Sequence, residues 1–189
     1  MFLRALMAGP QPHRATLIHF QRLRSEEKGI MKLYFLRHGV AADRLEWKGD
    51  DAERPLTEAG KERIARSAAV LAGLDLELDA ILTSPLARAR QTAEIVAKTL
   101  NAKDKLVHES RLGMGFDKDQ LAGILRDHAG SEALMLVGHE PGVSETISAL
   151  IGGGRIVCKK GGLACVKLRD RASLKGELLW LIPPRLLAQ

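Results

Sequence analysis

Leu33-Tyr34-Phe35-Leu36-Arg37-His38-Gly39 decides how this chain is read. Four apolar residues in a row predict a short strand buried on both faces. The run then stops at a cation, an imidazole and a glycine. That trio makes poor core and a good reactive loop, because glycine allows a sharp turn and a ligand close to the main chain. Taken alone, the tripeptide could equally be a charged strand end. Its weight comes from what lies downstream.

Working outward, the pattern from Met31 onward is α/β. Residues 40–56 are polar and acidic and end in Arg54-Pro55-Leu56-Thr57. Thr57 is a good N-cap for a helix reaching about Leu71, with Ile64, Ala68 and Leu71 at helical spacing and Gly73 as the stop. Ala80-Ile81-Leu82-Thr83 reads as a second buried strand. Ser84 and Pro85 then open a helix, serine as cap and proline at the first helical position. A short strand is expected at 105–108 and a helix from Lys118 to about His128. Ala133-Leu134-Met135-Leu136-Val137 is the clearest strand, and it ends at Gly138-His139-Glu140 before a helix started by Pro141. After Gly152-Gly153-Gly154, Leu163–Leu168 and Leu178–Ile182 read as two strands, with Asp170–Gly176 as a hairpin turn. The alternation predicts an α/β three-layer sandwich with a mostly parallel central sheet.

Composition narrows the classes. The chain has 189 residues, 46% hydrophobic and 28% charged, which suits one globular domain rather than a disordered or membrane protein. No apolar run approaches the roughly 20 residues of a spanning helix. The net charge of +6 is unevenly spread: residues 1–30 hold five cations against two anions, leaving only +3 for residues 31–189. That is too little for nucleic acid, which calls for a basic stripe. Residues 1–30 follow no period and read as a loosely ordered extension, or as a segment outside the native protein. In the second case translation starts at Met31, because Glu26-Glu27-Lys28-Gly29 needs purine-rich codons of the kind that bind bacterial ribosomes. Residues 31–189 form the functional domain. Cys158 and Cys165 are expected to be free thiols, which fits a reducing cytoplasm. The six histidines are scattered, so no metal site is expected.

Three strand ends carry the chemistry: Arg37-His38-Gly39, Thr83-Ser84-Pro85 and Gly138-His139-Glu140-Pro141. In a parallel sheet such ends share one edge, where ligands bind, and helix N-termini facing that edge favour an anion. Arg88 falls in the first turn of its helix, where the dipole disfavours a cation by a few tenths to about 1 kcal/mol. A bound dianion would reverse that penalty. Arg90 is read as merely solvating the helix. Two imidazoles and two arginines suit phosphoryl transfer through a covalent intermediate. Arginine forks match phosphate oxygens, and a neutral imidazole is a competent nucleophile.

Leu36-Arg37-His38-Gly39, Arg54-Pro55-Leu56-Thr57, Ser84-Pro85-Leu86-Ala87-Arg88-Ala89-Arg90-Gln91-Thr92-Ala93 and Val137-Gly138-His139-Glu140-Pro141 together resemble the histidine phosphatase superfamily. Within it, the short chain most resembles the SixA-type phosphohistidine phosphatases. The resemblance covers Met31–Gln189 and implies a phosphoglycerate mutase-like fold. It implies that His38 is the phosphorylated nucleophile and that Arg37, Arg88 and His139 bind the phosphoryl group. Arg54 is implied as a further phosphate contact, against its plainer role of closing the acidic loop. The implied enzyme is metal-independent, uses no cofactor and works in the cytoplasm. Its substrate would be a phosphohistidine phosphoprotein, or alternatively a small phosphorylated metabolite such as a sugar or nucleotide phosphate.

One departure bears on that choice. Mutases and many acid phosphatases of the superfamily place a general-acid carboxylate after the second motif, and here only Glu109, Asp117 and Asp119 are available, with Glu140 beside His139. Glu109 is expected at a strand end, the aspartates at a helix start and Glu140 as a cap. Lack of a dedicated acid favours substrates with easy leaving groups, such as phosphohistidine. A mutase would need a lid to keep phosphate from water, and no extended lid sequence is present. A silent phosphate-binding module would not need a nucleophile.

Overall fold

In the computed structural model, which describes residues 30–74 and 76–187, six strands form one sheet. They are β1 (Met31–Arg37), β2 (Ala80–Thr83), β3 (Leu106–His108), β4 (Ala133–Gly138), β5 (Leu163–Asp170) and β6 (Lys175–Ile182). The expected extension at 1–30 falls almost wholly on positions 1–29, outside the described residues. The order is β3-β2-β4-β1-β5-β6. β1, β2, β3 and β4 run parallel, and β5 joins β1 antiparallel as the first arm of a hairpin with β6. Both hairpin strands are longer than their apolar runs, so the turn shrinks to the residues between Asp170 and Lys175.

Side-chain alternation along the strands builds two cores, one on each sheet face. Leu33, Phe35, Leu82, Leu134 and Leu136 meet Leu121, Ile124, Val143 and Ile147 on one side. Those last four lie on α3 (Lys118–Asp127) and α4 (Gly142–Leu150). Tyr34, Leu36, Ile81, Met135 and Val137 meet Ile64, Ala68, Ala93 and Val96 on the other side. These belong to α1 (Glu58–Ala72) and α2 (Ala87–Thr99), joined by the short α5 (Pro184–Leu187) through Leu187. Helices on both faces of a mostly parallel sheet give the expected three-layer sandwich.

Register then places the strand ends. Leu36 pairs with Val137, and Val137 with Thr83, so β1, β4 and β2 stop at the same level. His38 N–H donates to the Gly138 carbonyl at 3.1 Å, and Ser84 N–H donates to Val137 at 3.1 Å. His38, Ser84 and His139 therefore leave the sheet side by side.

Two local expectations need correction. The second helix begins at Ala87, not at Pro85, and no side chain caps it. Ser84 Oγ instead accepts from Leu86 N–H at 3.2 Å and shares a hydrogen bond with His139. Gly39 is not among the positive-φ glycines, so a special turn is not its reason. A Cβ there would lie 2.8 Å from Ile64 Cγ1 and 3.3 Å from Leu56 Cδ2, so glycine lets α1 pack against the reactive loop. Thr57 does cap α1, accepting from Gly60 N–H at 3.0 Å.

Candidate active site

His38, His139 and Arg88 are 6%, 4% and 3% exposed, nearly complete burial for three polar side chains. Such groups are buried at a cost unless something pairs with them. The two imidazole centroids are 5.0 Å apart. His38 Nδ1 lies 2.7 Å from the Gly39 carbonyl oxygen. A carbonyl can only accept, so Nδ1 carries the proton and Nε2 keeps its lone pair. Burial, and then the neighbouring His139, hold His38 down to about 3 against the Gly39 hydrogen bond, which acts the other way. Burial and Arg88 likewise hold His139 down to about 4. Both rings are neutral at physiological pH, and His38 presents a free nitrogen to an electrophile.

The cations are placed by different elements. Arg37, last residue of β1, donates from Nη1 to the Cys158 carbonyl at 2.8 Å. Arg88, in the first turn of α2, donates from Nη1 to the Asp51 carbonyl at 2.8 Å, and its Nη2 lies 3.2 Å from Asp51 Oδ2. Arg54 donates from Nε to Asp51 Oδ1 and from Nη1 to the Ala42 carbonyl, each at 2.8 Å. Thr92 ties the loop to the helix: its Oγ1 accepts from Gly39 N–H at 3.0 Å and donates to the Arg88 carbonyl at 2.7 Å. Arg90 turns outward, with Glu53 at 3.7 Å and Glu94 at 3.9 Å. Among the described residues, Arg37 Nε and His139 Nδ1 are buried without a hydrogen-bond partner. Unpaired buried polar groups of this kind call for an explanation, and an anion bound by Arg37 Nε and by a protonated His139 Nδ1 supplies one.

The structure thus brings Arg37, His38, Arg88 and His139 to one sheet edge, with Arg54 joined to Arg88 through Asp51. Of the four carboxylates considered as acids, three are engaged by other groups. Glu109 accepts from Arg111 Nε at 2.8 Å and Nη2 at 2.6 Å, and that guanidinium holds its carboxyl below the usual range. Asp117 caps α3 by accepting from Gln120 N–H at 2.9 Å, and Glu140 accepts from Ser144 Oγ at 2.7 Å. Asp119 is exposed in the first turn of α3. Sequence reasoning passed over Asp51, whose spacing three residues before Arg54 was the available signal. Among the described residues, no three His, Cys, Asp or Glu side chains group as a metal site requires, and no helix is long and apolar enough to cross a membrane.

The fold is phosphoglycerate mutase-like, and the chain belongs to the histidine phosphatase superfamily. It is a phosphatase that acts through a histidine. Residues 33–113 match the Histidine phosphatase superfamily (branch 1). The chain is 38% identical over 162 residues to an uncharacterized protein of Picosynechococcus sp., covering 82% of this chain and 98% of that one. It is 30% identical over 125 residues to the phosphohistidine phosphatase SixA of Escherichia coli K12, covering 65% and 76%. The structure of the protein histidine phosphatase SixA complexed with tungstate superposes with a TM-score of 0.74 at 28% identity, covering 83% of this chain and 99% of that one.

The depressed imidazoles set how stability responds to acid. The folded protein holds both rings neutral to about pH 3–4, while unfolding returns them to an ordinary value near 6.5. Stability from this source is full above about 6.5 and declines as the pH falls towards 4, because the unfolded chain takes up the protons. Each ring contributes at most about 1.4 kcal/mol per pH unit. Urea unfolding from pH 7 to 4.5 is expected to show a slope that flattens in His139→Ala. An unchanged slope in that variant would mean the ring is charged in the folded state.

Proposed function

We propose that this protein removes the phosphoryl group from phosphohistidine carried on another protein. In this reading, His38 Nε2 attacks phosphorus and becomes phosphorylated, and water then releases phosphate. Arg37, Arg88 and His139 hold the phosphoryl oxygens, and Arg54 adds positive charge beside them through Asp51. As His38 is phosphorylated, its Nδ1–H keeps the Gly39 carbonyl as partner, which stabilises the positive charge on the ring.

The observation that carries the substrate choice is the engagement of three of the four candidate carboxylates, with the fourth, Asp119, exposed in the first turn of α3. Glu109, Asp117 and Glu140 each hold another group. Arg54, then Arg88, keep Asp51 ionised rather than acidic. With those groups engaged, an alkoxide leaving group lacks a dedicated proton donor, whereas an imidazole already protonated on its outer nitrogen leaves unaided. Two further facts support a protein substrate. The SixA relatives share this scaffold, and the loops after β1 and β3 carry exposed Leu45 (88%) and Met114 (64%) on the site's edge of the sheet. Cys158 and Cys165 are free and buried, as suits a cytoplasmic enzyme.

The test is kcat/KM measured side by side on a phosphohistidine protein and on esters of graded leaving-group pKa. General acid catalysis supplies roughly 100–10,000-fold, so alkyl phosphates should fall behind by that order. Phosphohistidine and p-nitrophenyl phosphate should be turned over well. Equal efficiency on alkyl and aryl esters would transfer the assignment to small phosphomonoesters.

A further inference from the structure

The acidic residue on the arginines has a chemical consequence. Asp51 opens a 3-10 turn (Asp51–Glu53) whose cap is supplied by Asp50, which accepts from Ala52 N–H at 2.9 Å. The Asp51 carboxylate is therefore not needed to shape the turn. It lies between Arg54 and Arg88, its side chain 42% exposed against 4% for Arg88, so one guanidinium is sealed inside and the anion faces outward over it. Both terminal nitrogens of Arg88 are engaged by this one residue. Its charge also reaches His139, where it opposes the arginines. An asparagine could accept from the same guanidiniums. What a carboxylate adds is a fixed negative charge at the entrance to a phosphate site.

We propose that Asp51 is a specificity-determining residue, selecting phosphoryl groups attached to a cationic or neutral leaving group over those flanked by a carboxylate or second phosphate. The inference rests on the phosphoryl-transfer reading of the site and narrows its substrate class. Phosphohistidine protonated on its outer ring nitrogen meets the requirement. Attack by His38 Nε2 forms one P–N bond as the other breaks. The bonding pair stays on the departing nitrogen, the outer proton stays where it was, and imidazole leaves neutral. A nearby carboxylate favours that protonated form. A phosphoryl group beside another anion instead meets like charge, which recognition sites use to reject wrong partners.

Three small phosphonates test this without turnover: aminomethylphosphonate, methylphosphonate and phosphonoacetate, whose substituents are cationic, neutral and anionic. Titration calorimetry on the full chain should show aminomethylphosphonate binding at least roughly tenfold tighter than phosphonoacetate. In Asp51→Asn that ratio should shrink about tenfold, and Asp51→Glu should restore it. Equal affinities in the unaltered protein, or an unchanged ratio in a folded Asp51→Asn, would overturn the proposal; the first outcome needs no variant. Failure to hydrolyse phosphohistidine would overturn the substrate assignment alone, since these affinities are read independently of catalysis.

Discussion

Replacing His38 with alanine is expected to lower kcat/KM at least ~1,000-fold on every phosphoryl donor while leaving the fold intact. The size follows from the role, because removing a covalent nucleophile leaves only binding and electrostatic stabilisation. Folding tolerates the change for a structural reason. The ring hydrogen-bonds to the carbonyl of the next residue, an interaction worth about 1 kcal/mol net. The strand beneath it is held by neighbours on both sides, β4 and β5. Losing the ring also removes a buried group that resists charging, which should make the variant less sensitive to acid. Residual activity above a thousandth, in a sample shown by circular dichroism to be folded, would mean that another group accepts the phosphoryl.

Arg88→Ala carries the second largest effect and is expected to exceed Arg37→Ala. Each removes a charge-assisted fork, about 2–4 kcal/mol of transition-state stabilisation. Arg88 does more because Asp51 depends on it. Without Arg88, the Asp51 carboxylate keeps only the Arg54 contact at 2.8 Å, and it faces the phosphate site with its charge less opposed. Arg90→Ala should change kcat/KM less than about twofold, since the side chain is 35% exposed and its ion pairs are 3.7 Å or longer. Steady-state kinetics on p-nitrophenyl phosphate would show the ranking directly. Equal sensitivity at positions 88 and 90 would mean that the face of α2 turned to the site is misassigned.

Much of this was legible in the chain because local physics and tertiary use agree. Apolar runs such as Phe35-Leu36 and Met135-Leu136 are buried on both faces, and that is what a central parallel strand requires. Thr57 caps α1 as its position demands. Legibility ended where a residue serves something distant. Ser84 has the chemistry of a helix cap, yet its hydroxyl is shared with His139, 55 residues away. Gly39 reads as a turn former and is needed instead for close packing against Ile64. Asp51 belongs to a loop that looks like solvated acid, and only folding sets it on Arg88, 37 residues further on. Strand order had the same character, since β4 inserts between β1 and β2 through pairings that no local pattern encodes.

The covalent phosphoryl-enzyme is the centre of this account, and trapping it is the most direct measurement. A rapid mix with a phosphohistidine protein or p-nitrophenyl phosphate, quenched in base where phosphohistidine survives, would be followed by peptide mass spectrometry. Phosphate on the peptide bearing His38, gone in His38→Ala and retained in Asp51→Asn, is the result expected. Phosphate on His139 alone, or turnover with no phosphorylated peptide at any quench time, would contradict it.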